Sequence, residues 1–163
     1  NLVSLLELPP NTTANDVMLL ARLVCSEAGY DKAEGKRVMR VVYNRSKVKK
    51  TTVMEEATRP GQFYYKNCTG KRANWIKWHH IELAIETLRG SIVAEPVLNT
   101  HTVTYLGTTK RLNQQHSRCR GYTIREVWYW YGLRKVLTSE VGHEFYRKSK
   151  GSAGCPNTKS TSG

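Results

Sequence analysis

The sequence predicts an α+β fold that is mostly α, with a small β element, and three observations lead there. Between Thr13 and Gly90, helix-start signals recur ahead of apolar stripes with a period of about 3.6 residues. Beyond Gly90 the pattern changes. Pro96 breaks helix, and His101 to Leu106 alternates through Val103 and Tyr105 as a strand does. Tyr122 to Tyr131 is then dense in β-branched and aromatic residues, and Val141 to Tyr146 forms a short closing segment.

Each element has its own local cause. Asn1 to Asn11 is a lead-in, because Pro9-Pro10 blocks helix. Thr13 and Asp16 resemble a capping box and start a first helix over Asn15 to Gly29, with Val17, Leu20, Ala21, Val24 and Ala28 on one face. Asp31 and Glu34 form a second box, opening a helix to about Lys47 with Val38, Val41 and Val42 as its stripe. Thr52 and Glu55 begin a short helix that stops before Pro60, which places Glu55 and Glu56 on the surface. Gly61 to Tyr65 is an aromatic turn and Lys66 to Arg72 a basic loop. A fourth helix is predicted from Ala73 to Arg89, ended by Gly90, with Trp78, Ile81, Ile85 and Leu88 as its apolar face. Lys110 to Arg120 reads as a basic loop, and Trp128 and Trp130 as alternate residues of a strand.

The 163 residues suffice for one domain with a sizeable core, and the net charge of +13 calls for an anionic partner: nucleic acid, membrane surface or a polyanionic wall. No apolar run reaches the roughly 18 residues that a membrane span needs. Cys25, Cys68, Cys119 and Cys155 lack CxxC spacing, and no histidine falls at zinc-ligand spacing, so no metal and no cofactor are expected. Cys25 reads as a buried thiol. A disulfide is possible, but the spacing does not choose among three pairings.

Carboxylates are scarce, at 13 in the whole chain, so each is informative. Asp16, Asp31 and Glu34 serve helix starts, and Glu82 and Glu86 lie on a solvated helix face. Glu27 is different. It sits in the last turn of the first helix, at the edge of the apolar stripe beside Leu20 and Leu23. The helix dipole and partial burial there both favour the protonated carboxyl, as a general acid requires. Two-carboxylate glycoside cleavage needs a second acid across the sugar, and no convincing candidate offers itself. A single glutamate, acting as acid and then as base on the sugar's own hydroxyl, suits the chain better.

Five short motifs, in order over about 120 residues, resemble the cell-wall hydrolase family of spore-cortex-lytic enzymes and related phage endolysins. Glu27-Ala28 is similar to the family's Gly-Glu-Ala at the end of the first helix. Gly35 with Val41-Val42-Tyr43-Asn44-Arg45 resembles its second helix, which closes in Asn-Arg. Gly61-Gln62-Phe63 is similar to its Gly-Gln-Phe turn, Thr104-Tyr105 to its Leu-Tyr-aromatic strand, and Gly142-His143-Glu144-Phe145-Tyr146 to its Gly-His-x-Phe-Tyr. Ser26 departs from the usual glycine, the stretch from Gly35 to Asn44 is one residue short, and Lys110 to Trp128 is longer and more basic.

The resemblance implies a lysozyme-like catalytic domain over 1–146, followed by a basic Gly/Ser/Lys-rich tail over 147–163. It implies a peptidoglycan lytic transglycosylase that cleaves the β-1,4 bond between N-acetylmuramic acid and N-acetylglucosamine, with Glu27 as acid/base. Gln62, Tyr105, His143 and Asn44 follow as substrate-binding candidates, with Asn44 tying the second helix to the active-site loop. The partners implied are peptidoglycan strands and anionic wall polymers, met outside the cytoplasm by a monomer with no obligate nucleic acid. Two rivals remain: a hydrolytic muramidase of the same fold, and a basic nucleic-acid-binding protein whose Tyr and Trp residues stack on bases.

Overall fold

The computed structural model describes residues 1–100, 103–108, 119–149 and 154–156. The protein is α+β and mostly α, about 53% helical, with one three-stranded antiparallel sheet. The chain divides into two compact units, 1–101 and 102–163.

In the first unit, helix α1 (Leu2–Leu5) is a single turn capped by Asn1. Helix α2 (Ala14–Ala28) starts on the reciprocal pair expected: Asp16 N–H donates to Thr13 Oγ1 at 3.1 Å, and Thr13 N–H to Asp16 Oδ2 at 3.0 Å. It ends at Gly29, whose φ of +58° suits a residue without a Cβ. Helix α3 (Lys32–Lys49) is capped by Asp31, and α4 (Val53–Thr58) by Thr52.

The fourth helix begins later than predicted. Gly70–Trp75 is a 3-10 helix, the chain is extended at Ile76 and Lys77, and α5 runs from Trp78 to Arg89. The break moves Trp78 off the core face: it is 67% exposed. Helices α2, α3 and α5 bury Leu20, Leu23, Val24, Val38, Met39, Val42, Leu83 and Leu88 against one another. Gly35 lets them approach closely, since a Cβ there would lie 2.8 Å from Leu83 Cδ1 and 3.0 Å from Val24 Cγ1.

In the second unit, strands β1 (Val103–Thr108), β2 (Leu133–Thr138) and β3 (His143–Lys148) form the sheet in the order β1-β3-β2. Tyr105 and Lys135 both lie opposite Tyr146. The strand read from His101 begins at Val103, since 101 and 102 lie outside the described residues. So does the predicted basic loop, up to residue 118. The aromatic segment after Tyr122 is not a strand. It contains helix α6 (Ile124–Trp130), opened by a Thr123/Glu126 capping box, so Trp128 and Trp130 lie on a helix and not at alternate positions of a strand. Trp128 meets Tyr146 edge to face at 5.1 Å, over a small core with Leu133, Tyr105 and Ile124.

The cysteines form two disulfides, Cys25–Cys68 and Cys119–Cys155. Cys25 is therefore buried as expected but bonded rather than a thiol. The tail boundary at 147 also shifts: β3 runs to Lys148, and Cys155 is anchored to Cys119. Residues 150–153 and 157–163 lie outside the described residues. No described helix is long and apolar enough to cross a membrane.

Candidate active site

Glu27 occupies the penultimate position of α2, half-buried, with the turn at Gly61 to Tyr65 drawn against it. The Tyr64 N–H donates to Glu27 Oε1 at 2.8 Å. A backbone donor of this kind orients the carboxylate. Three further fastenings hold the turn in place. Ser26 Oγ donates to the Tyr65 carbonyl at 2.8 Å and accepts from the Cys68 N–H at 3.3 Å. Cys68 is bonded in turn to Cys25, two residues before Glu27. The Tyr65 hydroxyl donates to the Ala57 carbonyl. Its pKa is raised, first by burial and then by the charge of Glu27.

Gln62 stands on the same turn, exposed, and its Oε1 accepts from Arg45 Nη1 at 3.3 Å. The Arg45 guanidinium also lies 5.1 Å from the centre of the Phe63 ring. Arg45 thus reaches across the Gln62-Phe63 turn from α3. Its neighbour Asn44 points elsewhere: buried at 1% exposure, it donates through Nδ2 to the carbonyls of Leu98 (3.0 Å) and Thr100 (2.7 Å). Arg45 ties α3 to the turn at Glu27, and Asn44 ties α3 to the segment after Pro96.

The other two candidates belong to the second unit. Tyr105 is half-buried on β1, packed with Leu133 and Tyr146. His143 opens β3 and is buried; its N–H donates to Ser139 Oγ at 3.2 Å, and its ring stands edge-on to Phe145 at 6.2 Å. Both lie in that sheet and pack within it. The structure brings Glu27 and Gln62 together in one unit, and places Tyr105 and His143 in the other.

Glu56, expected on the surface, is 1% exposed, and Glu34 is fully buried. Each is matched by cations. Arg59 Nη2 lies 2.9 Å from Glu56 Oε1, with Lys49 Nζ 3.5 Å from Oε2. Arg37 links Glu34, at 3.3 Å, to Glu95. Buried carboxylates held this way are structural, because freeing one leaves a charge without compensation. Glu27 is set apart by its exposure and by the turn built around it.

Sequence reasoning gave Ser26, Arg45 and His80 no role at the site. His80 is fully buried at the start of α5. Its Nδ1 accepts from the Lys77 N–H at 2.8 Å, so Nε2 carries the proton and donates to the Gly29 carbonyl at 2.6 Å. It thereby joins α5 to the end of the Glu27 helix. Among the described residues, no group of three or more His, Cys, Asp or Glu is placed to hold a metal ion. Comparison with family models, with curated proteins and with solved structures gives no match.

Proposed function

We propose that the chain is a peptidoglycan lytic transglycosylase with a lysozyme-like catalytic domain over 1–146, acting outside the cytoplasm. One observation carries the reading: a half-exposed glutamate at a helix end, oriented by the Tyr64 N–H, under a turn fastened by Ser26, Arg45 and a disulfide. So much local structure spent on one carboxylate fits a positioned acid/base. In the step proposed, the Glu27 carboxyl gives its proton to the glycosidic oxygen and the bond from that oxygen to the muramic C1 breaks. The muramic O6 then bonds to C1 while its proton passes to the Glu27 carboxylate. No water is consumed, the leaving sugar gains a hydroxyl, and a 1,6-anhydro end forms. Gln62, exposed on the same turn, is assigned to hydrogen-bond the glycan. The two disulfides suit an oxidising compartment, and the charge of +13 suits an anionic wall.

The test is sacculus digestion by the full chain and by Glu27→Gln. Loss of the acid lowers the rate by about 10²–10⁴-fold while the fold persists. A folded Glu27→Gln protein with full activity sinks the proposal. Products ending in reducing muramic acid assign the hydrolytic reaction instead.

A further inference from the structure

Between Glu56 and Glu82 the sequence carries Arg59, Lys66, Lys71, Arg72 and Lys77 and no carboxylate. Lys66, Lys71, Arg72 and Lys77 are all exposed. Two tryptophans accompany them, Trp75 at 43% and Trp78 at 67% exposure. Two exposed indoles three positions apart, rimmed by cations, make the kind of patch that serves recognition. The Arg72 guanidinium sits 5.1 Å from the centre of the Trp75 ring, and between the two tryptophans Lys77 Nζ donates to the Asn74 carbonyl at 3.1 Å. The segment is anchored at both ends to the Glu27 helix. At one end Cys68 is bonded to Cys25, and at the other His80 donates to Gly29. The break in helix at Ile76 and Lys77 is what turns Trp78 outward.

We propose that the stretch from Lys66 to Trp78 is the binding platform for the anionic glycan strand that Glu27 cleaves, an inference that rests on the function proposed above. The chemistry fits in two parts. Sugar C–H faces pack on the electron-rich face of an indole, and the carboxylates of the strand meet Lys71, Arg72 and Lys77. A single-stranded nucleic acid would also stack on tryptophan, but it offers nothing for an acid on the helix to which this segment is anchored.

The experiment compares Glu27→Gln with Glu27→Gln carrying Trp75→Ala and Trp78→Ala. Binding is measured to three probes: purified protein-free sacculi, sacculi whose carboxylates have been converted to amides, and a mixed-sequence single-stranded oligonucleotide. The melting temperature checks the fold, and Trp78→Ala alone, at the more exposed ring, serves should the pair unfold. The expected result is at least about tenfold weaker sacculus binding on loss of the tryptophans, and weaker binding of the parent to amidated sacculi. Unchanged sacculus binding by a folded tryptophan variant overturns the inference, as does a loss confined to the oligonucleotide. The two claims fail separately. If the unmutated chain cleaves sacculi and the variants bind them like the parent, only the platform is wrong. If the unmutated chain neither binds nor cleaves sacculi, the function proposed above falls, and the platform falls with it.

Discussion

Ser26 Oγ donates to the Tyr65 carbonyl at 2.8 Å, joining the residue before Glu27 to the residue after Tyr64. The hydroxyl stands where the family resembled has glycine, so the departure is itself a fastening. Ser26→Ala removes this bond and the one from Cys68 N–H, at about 1 kcal/mol each. The urea midpoint should fall accordingly. Sacculus lysis should fall by roughly tenfold, because the Tyr64 donor no longer holds Glu27 in register. An unchanged lytic rate in Ser26→Ala would show that the turn does not position the acid.

The Cys25–Cys68 bridge closes a loop of 43 residues around α3 and α4. On the chain-entropy account a loop of this length contributes about 4 kcal/mol. Cys25→Ser with Cys68→Ser should therefore lower stability by up to about 4 kcal/mol in urea denaturation. Because the bridge also anchors the turn, activity should fall even at temperatures where the variant stays folded. A reduced or doubly substituted protein with an unchanged midpoint contradicts this.

Acid should destabilise the fold in two windows. His80 has its pKa lowered, first by burial and then by the charge of Lys77, against the Gly29 carbonyl, which raises it. His79 is lowered by burial, then by His80 and Lys32. Below the ordinary histidine value of 6.5, the unfolded chain binds protons that the folded chain refuses. This stability is complete above pH 6.5 and is lost as the pH falls from there toward the folded values. Glu56 and Glu95 follow lower down. Burial pushes each upward, but hydrogen bonds from Arg59 and Thr51, and from Arg37, hold the carboxyls below the usual 4.5. Their contribution is present above 4.5 and is lost as the pH falls through the folded values. Urea midpoints measured against pH should show two descending limbs on acidification. His80→Gln should flatten the upper limb and leave the lower in place; an unaltered upper limb contradicts the assignment.

Deleting residues 147–163 should unfold the second unit rather than merely strip charge. Arg147 lies opposite Val103 and Arg134 in the sheet, and Cys155 holds Cys119. Near-ultraviolet circular dichroism should lose the signal of the Trp128–Tyr146 contact. A truncated chain that keeps it would show the sheet to be complete without its last residues.

Helices α2, α3 and α4 were legible because each begins on a local signal, whereas the single turn α1 fell in a stretch read as a lead-in. Thr13 with Asp16, Asp31 and Thr52 act within three positions of themselves. The α5 start was misplaced because the apolar period continues through Ile76 and Trp78, while the extended backbone there is fixed by His80, whose role depends on Gly29 far away. Helix α6 was mistaken for strand because aromatic density outweighed the Thr123/Glu126 capping box, a local signal that was present to be read. Strand β2 went unseen because Arg134 and Lys135 interrupt its apolar residues, and its partner β3 supplies the order. At the candidate site, the place of Glu27 in the last turn of its helix was legible from the apolar stripe. Ser26 and Arg45 were not, because hydrogen bonds spanning 39 and 17 positions leave no mark on spacing.

The central claim is that Glu27 alone serves as acid and base. Mass spectrometry of sacculi digested by the full chain and by Glu27→Gln tests it most directly. The account predicts muropeptides with 1,6-anhydromuramic ends from the unmutated protein, and none from a Glu27→Gln protein that melts normally. Reducing muramic ends from the unmutated protein, or full digestion by the folded variant, would contradict it.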